Sequence, residues 1–101
     1  MSSGNALGDY LKLRRGRVRP EDVGLVAGPR RRVDGLRREE LAALAGISAD
    51  YYLRIEQGRN PHPSPQILDA LARALRMDAA ASAHLHQIAR DRRLTYSDVE
   101  D

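Results

Sequence analysis

Residues 37–58 read RREELAALAGISADYYLRIEQG, two short amphipathic runs separated by Gly46, Ile47 and Ser48. In the first run Leu41, Leu44 and Ala45 recur at helical spacing, so a helix burying those three is expected over 37–45, ended by Gly46. Ser48 stands where it can cap a second helix over 49–57, which Gly58 closes. Ile47 before that cap and Tyr52 at the fourth helical position have the spacing of a hydrophobic staple. Gly46 takes a positive φ cheaply, as a tight turn between two steeply crossed helices needs. Ala42 supplies the small residue where the helices cross, and Tyr52 and Ile55 supply the inward side of the second. Ala49, Asp50, Tyr51, Leu53 and Arg54 are left for its outer side. This is the layout of a helix-turn-helix, whose second helix turns its N-terminal part to base edges in the major groove of double-stranded DNA.

Outward from that core motif the chain stays helical. Leu7, Tyr10, Leu11 and Arg14 follow i, i+3, i+4, i+7 spacing, with Asn5 as N-cap and Gly16 as stop. Residues 17–35 hold several Gly and Pro punctuators and the run Arg30, Arg31, Arg32, and they read as a long loop with one short turn begun by Pro20, Glu21 and Asp22. After the proline-rich connector Asn60-Pro61-His62-Pro63, Ser64 and Pro65 open a fourth helix carrying Ile67, Leu68, Leu71 and Leu75 on one face. Asp78 caps a fifth, with Ala81, Leu85, Ile88 and Ala89 as its buried stripe. From Arg92 onward no apolar period remains. The expectation is an all-α, five-helix domain over 1–91, a long loop between helices one and two, and a flexible tail or linker over 92–101.

Composition narrows the function. The chain has 101 residues, the size of one domain, and its aromatics are four tyrosines, so the core must be Leu, Ile and Ala. It has no cysteine, which excludes disulfides and thiolate metal sites. His84 and His86 are two apart and fall on different faces of a helix, while His62 sits in the proline connector; no metal site is expected. No nucleophile elbow or phosphate loop is present, so no catalytic residue and no cofactor are expected. The start MSSGNALGDY has neither a basic nor a greasy region, and no run is long enough to span a membrane, so a cytoplasmic protein is expected. Residues 12–38 hold ten of the seventeen basic residues and three acids, a local +7 against −4 for the rest. Sixteen of the seventeen are Arg, which fits bidentate contact with phosphate and guanine and equally a GC-rich genome.

LRREELAALAG, SADYYLRIEQGR and NPHPSPQILDALARAL, in that order and spacing, resemble the XRE, or lambda-repressor-like, helix-turn-helix family. Most closely they look like the N-terminal domain of actinobacterial MmyB-like transcriptional regulators, over about residues 6–90. The resemblance implies a lambda-repressor-like five-helix domain that regulates transcription; relatives carry a PAS-like ligand-binding domain after it, so this sequence is expected to be either a fragment or a minimal member. A small-molecule effector would act only through such a domain.

Residues carry over one by one. The resemblance makes Ala49, Asp50, Tyr51 and Arg54 the base-reading positions. Arg54 suits guanine O6 and N7, though an exposed pair with Asp50 fits the same spacing. Asp50 can accept from cytosine N4, but complementing the helix dipole is the preferred role. Tyr51 fits a thymine methyl, a phosphate or half-buried packing. Arg37, Arg38, Arg59 and Asn60 fall where relatives touch the DNA backbone, and cations opening a helix oppose its dipole unless an anion offsets them. Arg30, Arg31 and Arg32 form a candidate basic arm along phosphates or into a minor groove, with a merely solvated loop as the alternative. Arg15 and Glu56 match a structural ion pair. The expected partner is double-stranded DNA, bound by a homodimer on half-sites roughly 34 Å apart, and a monomer stays open for this chain alone. The competing class is a protein-interaction module, such as an antitoxin, using Leu85, Ile88 and the tail as its partner face.

Overall fold

The computed structural model describes residues 5–26, 28, 35–59 and 62–100, with side chains as far as Asp91. Arg30, Arg31, Arg32 and Asn60 lie outside the described residues. Among those described, the elements are α1 (Ala6–Arg17), a 3-10 turn (Pro20–Val23), α2 (Arg38–Ala45), α3 (Ala49–Glu56), α4 (Pro65–Ala74) and α5 (Ala79–Glu100), and there is no strand. This is the all-α, five-helix domain expected, consistent with a lambda-repressor-like fold. None of these helices is long and apolar enough to cross a membrane.

Local chemistry sets the boundaries. Ser48 Oγ accepts from the Tyr51 amide at 3.0 Å, Ser64 Oγ from Ile67 at 3.2 Å, and Asp78 Oδ1 from Ala81 at 2.8 Å, each satisfying an orphan amide of a first turn. No hydroxyl caps α2; instead Glu40 reaches back 2.8 Å to accept from the Arg37 amide. Gly46 (φ 76°) and Gly58 (φ 74°) end α2 and α3 in the left-handed region. After each, the next amide returns to the last turn, Ile47 to Ala42 and Arg59 to Arg54. Arg76 (φ 56°) does the same after α4 without being glycine. Its Nη1 donates to the Asp22 carbonyl at 3.0 Å, so the strained residue also fastens the 3-10 turn to α4.

Packing runs α2 on α3 and α4, and α1 on α3 and α5, with α4 against α5. The core is Leu7, Leu11, Leu36, Leu41, Ala42, Tyr52, Ile55, Leu68, Leu71, Leu75 and Leu85, almost wholly aliphatic. Three expectations need correction. Leu44 is 41 % exposed: Leu41, Ala42 and Ala45 carry the inward face, and Leu44 borders a surface groove with Val23, Ala70 and Ala74. Gly16 does not stop α1, which runs one residue further to Arg17. Helix α5 continues past Arg92 to Glu100, since no Gly or Pro interrupts 79–101. Leu85 is fully buried and Ile88 half-buried against the core, so their face is taken up within the domain and is not a free partner surface.

Gly8 marks where α1 and α3 touch backbone to backbone. A Cβ there would overlap the carbonyl oxygen of Glu56, whereas one at Gly16 would meet nothing within 4 Å. Helix propensity alone favours alanine at both. Gly16→Ala is therefore expected to stabilise by about 0.5 kcal/mol, and Gly8→Ala to destabilise by more than about 2 kcal/mol because helix packing must open. Urea denaturation of the two variants reads the opposite signs directly; two stabilised variants would contradict the close contact.

Candidate nucleic-acid interface

Helix α3 has two unlike sides. Tyr52, Ile55 and Glu56 are buried, while Ala49, Asp50 and Arg54 are exposed and Tyr51 and Leu53 half-buried. The Arg54 Nε lies 3.6 Å from Asp50 Oδ2, one helical turn back. Its guanidinium carbon is 5.9 Å from the centre of the Tyr51 ring. The three side chains are thus neighbours on the outer side of the helix, Asp50 in its first turn and Arg54 in its last. An ion pair this exposed adds little stability, so its guanidinium can exchange Asp50 for another acceptor at small cost.

The inner side is held by one carboxylate. Glu56 Oε2 accepts from Arg15 Nε at 2.9 Å and Tyr52 Oη at 2.5 Å, and Oε1 from Arg15 Nη2 at 3.0 Å and Arg38 Nε at 2.7 Å. Arg15 Nη1 also donates to the Leu36 carbonyl at 2.8 Å. Burial pushes the Glu56 carboxyl up, but the hydrogen bonds from Arg15, Tyr52 and Arg38 outweigh it and hold it below the ordinary carboxylate value. Burial, then donation to Glu56, push the Tyr52 phenol far above its usual range. For Arg15 burial works against the charge, and Glu56 overrides it and raises the pKa. The result is a buried, fully partnered charge joining α1, α2 and α3, the arrangement in which a buried ion pair holds rather than weakens a fold.

The structure brings Arg15 and Glu56 together in a two-pronged pair, and adds two partners that the sequence did not single out for it. Spacing alone gives Tyr52 only a packing role; its position four residues before Glu56 on one helix face is the signal for the contact. The resemblance makes Arg38 a phosphate contact. Its Nε belongs to Glu56, although the side chain is 45 % exposed. That pairing already offsets one of the two cations at the start of α2, so only exposed Arg37 still argues for an external anion on dipole grounds. Arg59 is exposed beyond α3, with Nη1 3.5 Å from Gln57 Oε1. Asn5 does not cap α1 with its side chain; its Nδ2 donates to the Glu56 carbonyl at 3.0 Å, and its buried Oδ1 has no partner.

Between the starts of α2 and α3 lies an open cleft of about 450 Å³ lined by Arg15, Arg37, Arg38, Glu39, Ala49, Asp50 and Leu53. Arg37, Arg38 and Glu39 stand on its α2 side, and a mixed polar and apolar helix face on its α3 side. The histidines have local partners elsewhere: His84 meets Tyr10 edge-on at 4.9 Å, and His86 Nε2 lies 2.8 Å from Asp69 Oδ1. Among the described residues no group of three or more His, Cys, Asp or Glu could hold a metal ion.

Against models of protein families, residues 6–85 match that of a helix-turn-helix domain, a span from the start of α1 to Leu85 in α5. No curated protein and no solved structure matched the chain.

A carboxylate held below its ordinary value near 4.5 makes the unfolded chain the stronger proton binder. Stability from Glu56 is therefore present above about pH 4.5 and is lost as pH falls through the lower folded value. Glu56→Ala is expected to cost about 3–5 kcal/mol at pH 7, because Arg15 is left buried without its anion. Glu56→Gln should cost less and show a shallower loss of urea midpoint between pH 5 and pH 3. Equal acid sensitivity in wild type and Glu56→Gln would mean that other carboxylates dominate.

Proposed function

The chain belongs to the helix-turn-helix domain family, and on that footing we propose that it binds double-stranded DNA sequence-specifically as a transcriptional regulator, with α3 as recognition helix in the major groove. The supporting observation is the division of α3 itself. Its inner side is fixed by Tyr52, Ile55 and the Glu56 network, and its outer N-terminal half stays at the surface. A rigid helix with a free polar face is what groove reading requires.

In this reading Ala49, Asp50, Tyr51 and Arg54 meet base edges. Arg54 donates to guanine O6 and N7, releasing Asp50, a contact worth about 1–3 kcal/mol of discrimination. Arg37, Arg59, Asn60 and the outer nitrogens of Arg38 bind phosphates, which set register rather than sequence. Arg30, Arg31 and Arg32 extend the footprint as a basic arm. Glu39 and Asp50 share this face, so non-specific affinity is modest and base contacts carry much of the selectivity. Within the family we assign the chain to the XRE type and to MmyB-like regulators, acting in the cytoplasm without catalysis. It works as a homodimer on paired half-sites, and any effector acts through a separate domain.

Salt titration of duplex binding tests this. Log affinity should fall steeply with log salt, and Arg37→Ala should shallow the slope by about 0.9. Arg54→Ala should leave the slope on random DNA nearly unchanged and cost about tenfold on a selected operator. Absence of duplex binding at low salt would move the assignment to a protein partner.

A further inference from the structure

Ala49 and Leu53 stand four residues apart on α3, so their side chains lie one above the other on one helix face. Both line the cleft facing Arg37 and Arg38, and neither has a place in the core. A single half-exposed leucine needs no explanation. This one sits on the outer side of the helix, one turn after Ala49, in a hollow it shares with that second apolar side chain.

We propose that Ala49 and Leu53 form an apolar seat for the 5-methyl group of a pyrimidine, which makes Leu53 a specificity-determining residue. This rests on the DNA reading above. The major-groove edge of a base pair is otherwise made of hydrogen-bond donors and acceptors, and the methyl at pyrimidine C5 is its apolar feature. A guanine, adenine or unmethylated cytosine edge set against Leu53 gives up water without gaining a partner. The cleft can take a nucleotide in cross-section: Arg37 and Arg38, with Glu39 beside them, stand at α2 for the phosphate, and Ala49 and Leu53 supply hydrocarbon for the base edge at α3. Thymine and 5-methylcytosine carry the same methyl. Asp50 lines the same cleft and is an acceptor, so it favours the N4 amino group of methylated cytosine over the O4 of thymine.

The test starts with selection of preferred duplexes from a randomised pool by the full chain. In the tightest duplex each dT is replaced singly by deoxyuridine, and each dC singly by 5-methyl-dC. Dissociation constants are measured at one salt concentration. Wild type should show one position per half-site where the methyl changes affinity by about fourfold, the transfer worth of one such group. A loss with deoxyuridine identifies thymine as the source; a gain with 5-methyl-dC identifies methylated cytosine. Leu53→Ala should flatten that response, and Leu53→Met, which stays apolar, should retain it. A selected duplex indifferent to every methyl, or a response unchanged in Leu53→Ala, overturns the seat and leaves the DNA reading standing. Failure to select any sequence overturns both.

Discussion

The carboxylate of Glu56 is the point on which the rest of the structure depends. A buried charge is costly unless every lone pair is used, and here two guanidinium groups and a phenol share its two oxygens. Those partners arrive from α1, from the first residue of α2 and from α3 itself. Arg15 adds the Leu36 carbonyl, so the chain entering α2 is tied to the same group. Satisfying one residue therefore fixes the mutual placement of three helices, two of which form the helix-turn-helix.

That constraint explains why so short a helix can be presented with one face free. Helix α3 has eight residues and would not persist alone in water. It is capped by Ser48, closed through Gly58, and anchored on one side by Tyr52, Ile55 and Glu56, all buried. Ala49, Asp50, Leu53 and Arg54 are thereby relieved of structural duty. Gly8 belongs to the same logic, since the Asn5 contact to the Glu56 carbonyl and the backbone approach of α1 both need a residue without a side chain there.

Much of this was legible beforehand because it depends on local rules. Ser48, Ser64 and Asp78 act on amides three residues away, and Gly46 and Gly58 on the turn they occupy, so sequence spacing suffices. The burial of Leu41, Leu68, Leu71 and Leu85 follows from helical period. What escaped depends on contacts between distant segments. That Leu44 stays at the surface is decided by where α4 lies against α2. Gly8 looks like a weak helix residue until α3 is set against it. Arg38 resembled a free cation because nothing in its neighbourhood reveals that Glu56, eighteen residues on, arrives beside it. At α5 the loss of apolar period after Arg92 does not end the helix, since a stretch without Gly or Pro can remain helical.

The Glu56 network holds the outer face of α3 and the start of α2 together, and the proposed function makes them one DNA-contacting surface. The most direct measurement is amide chemical-shift mapping of the nitrogen-15-labelled chain titrated with duplex DNA. Perturbations concentrated at residues 37–39 and 49–54 are expected, with little change on the α4–α5 side around His86 and Arg90. Perturbations centred on α5, with 49–54 unmoved, would contradict that surface.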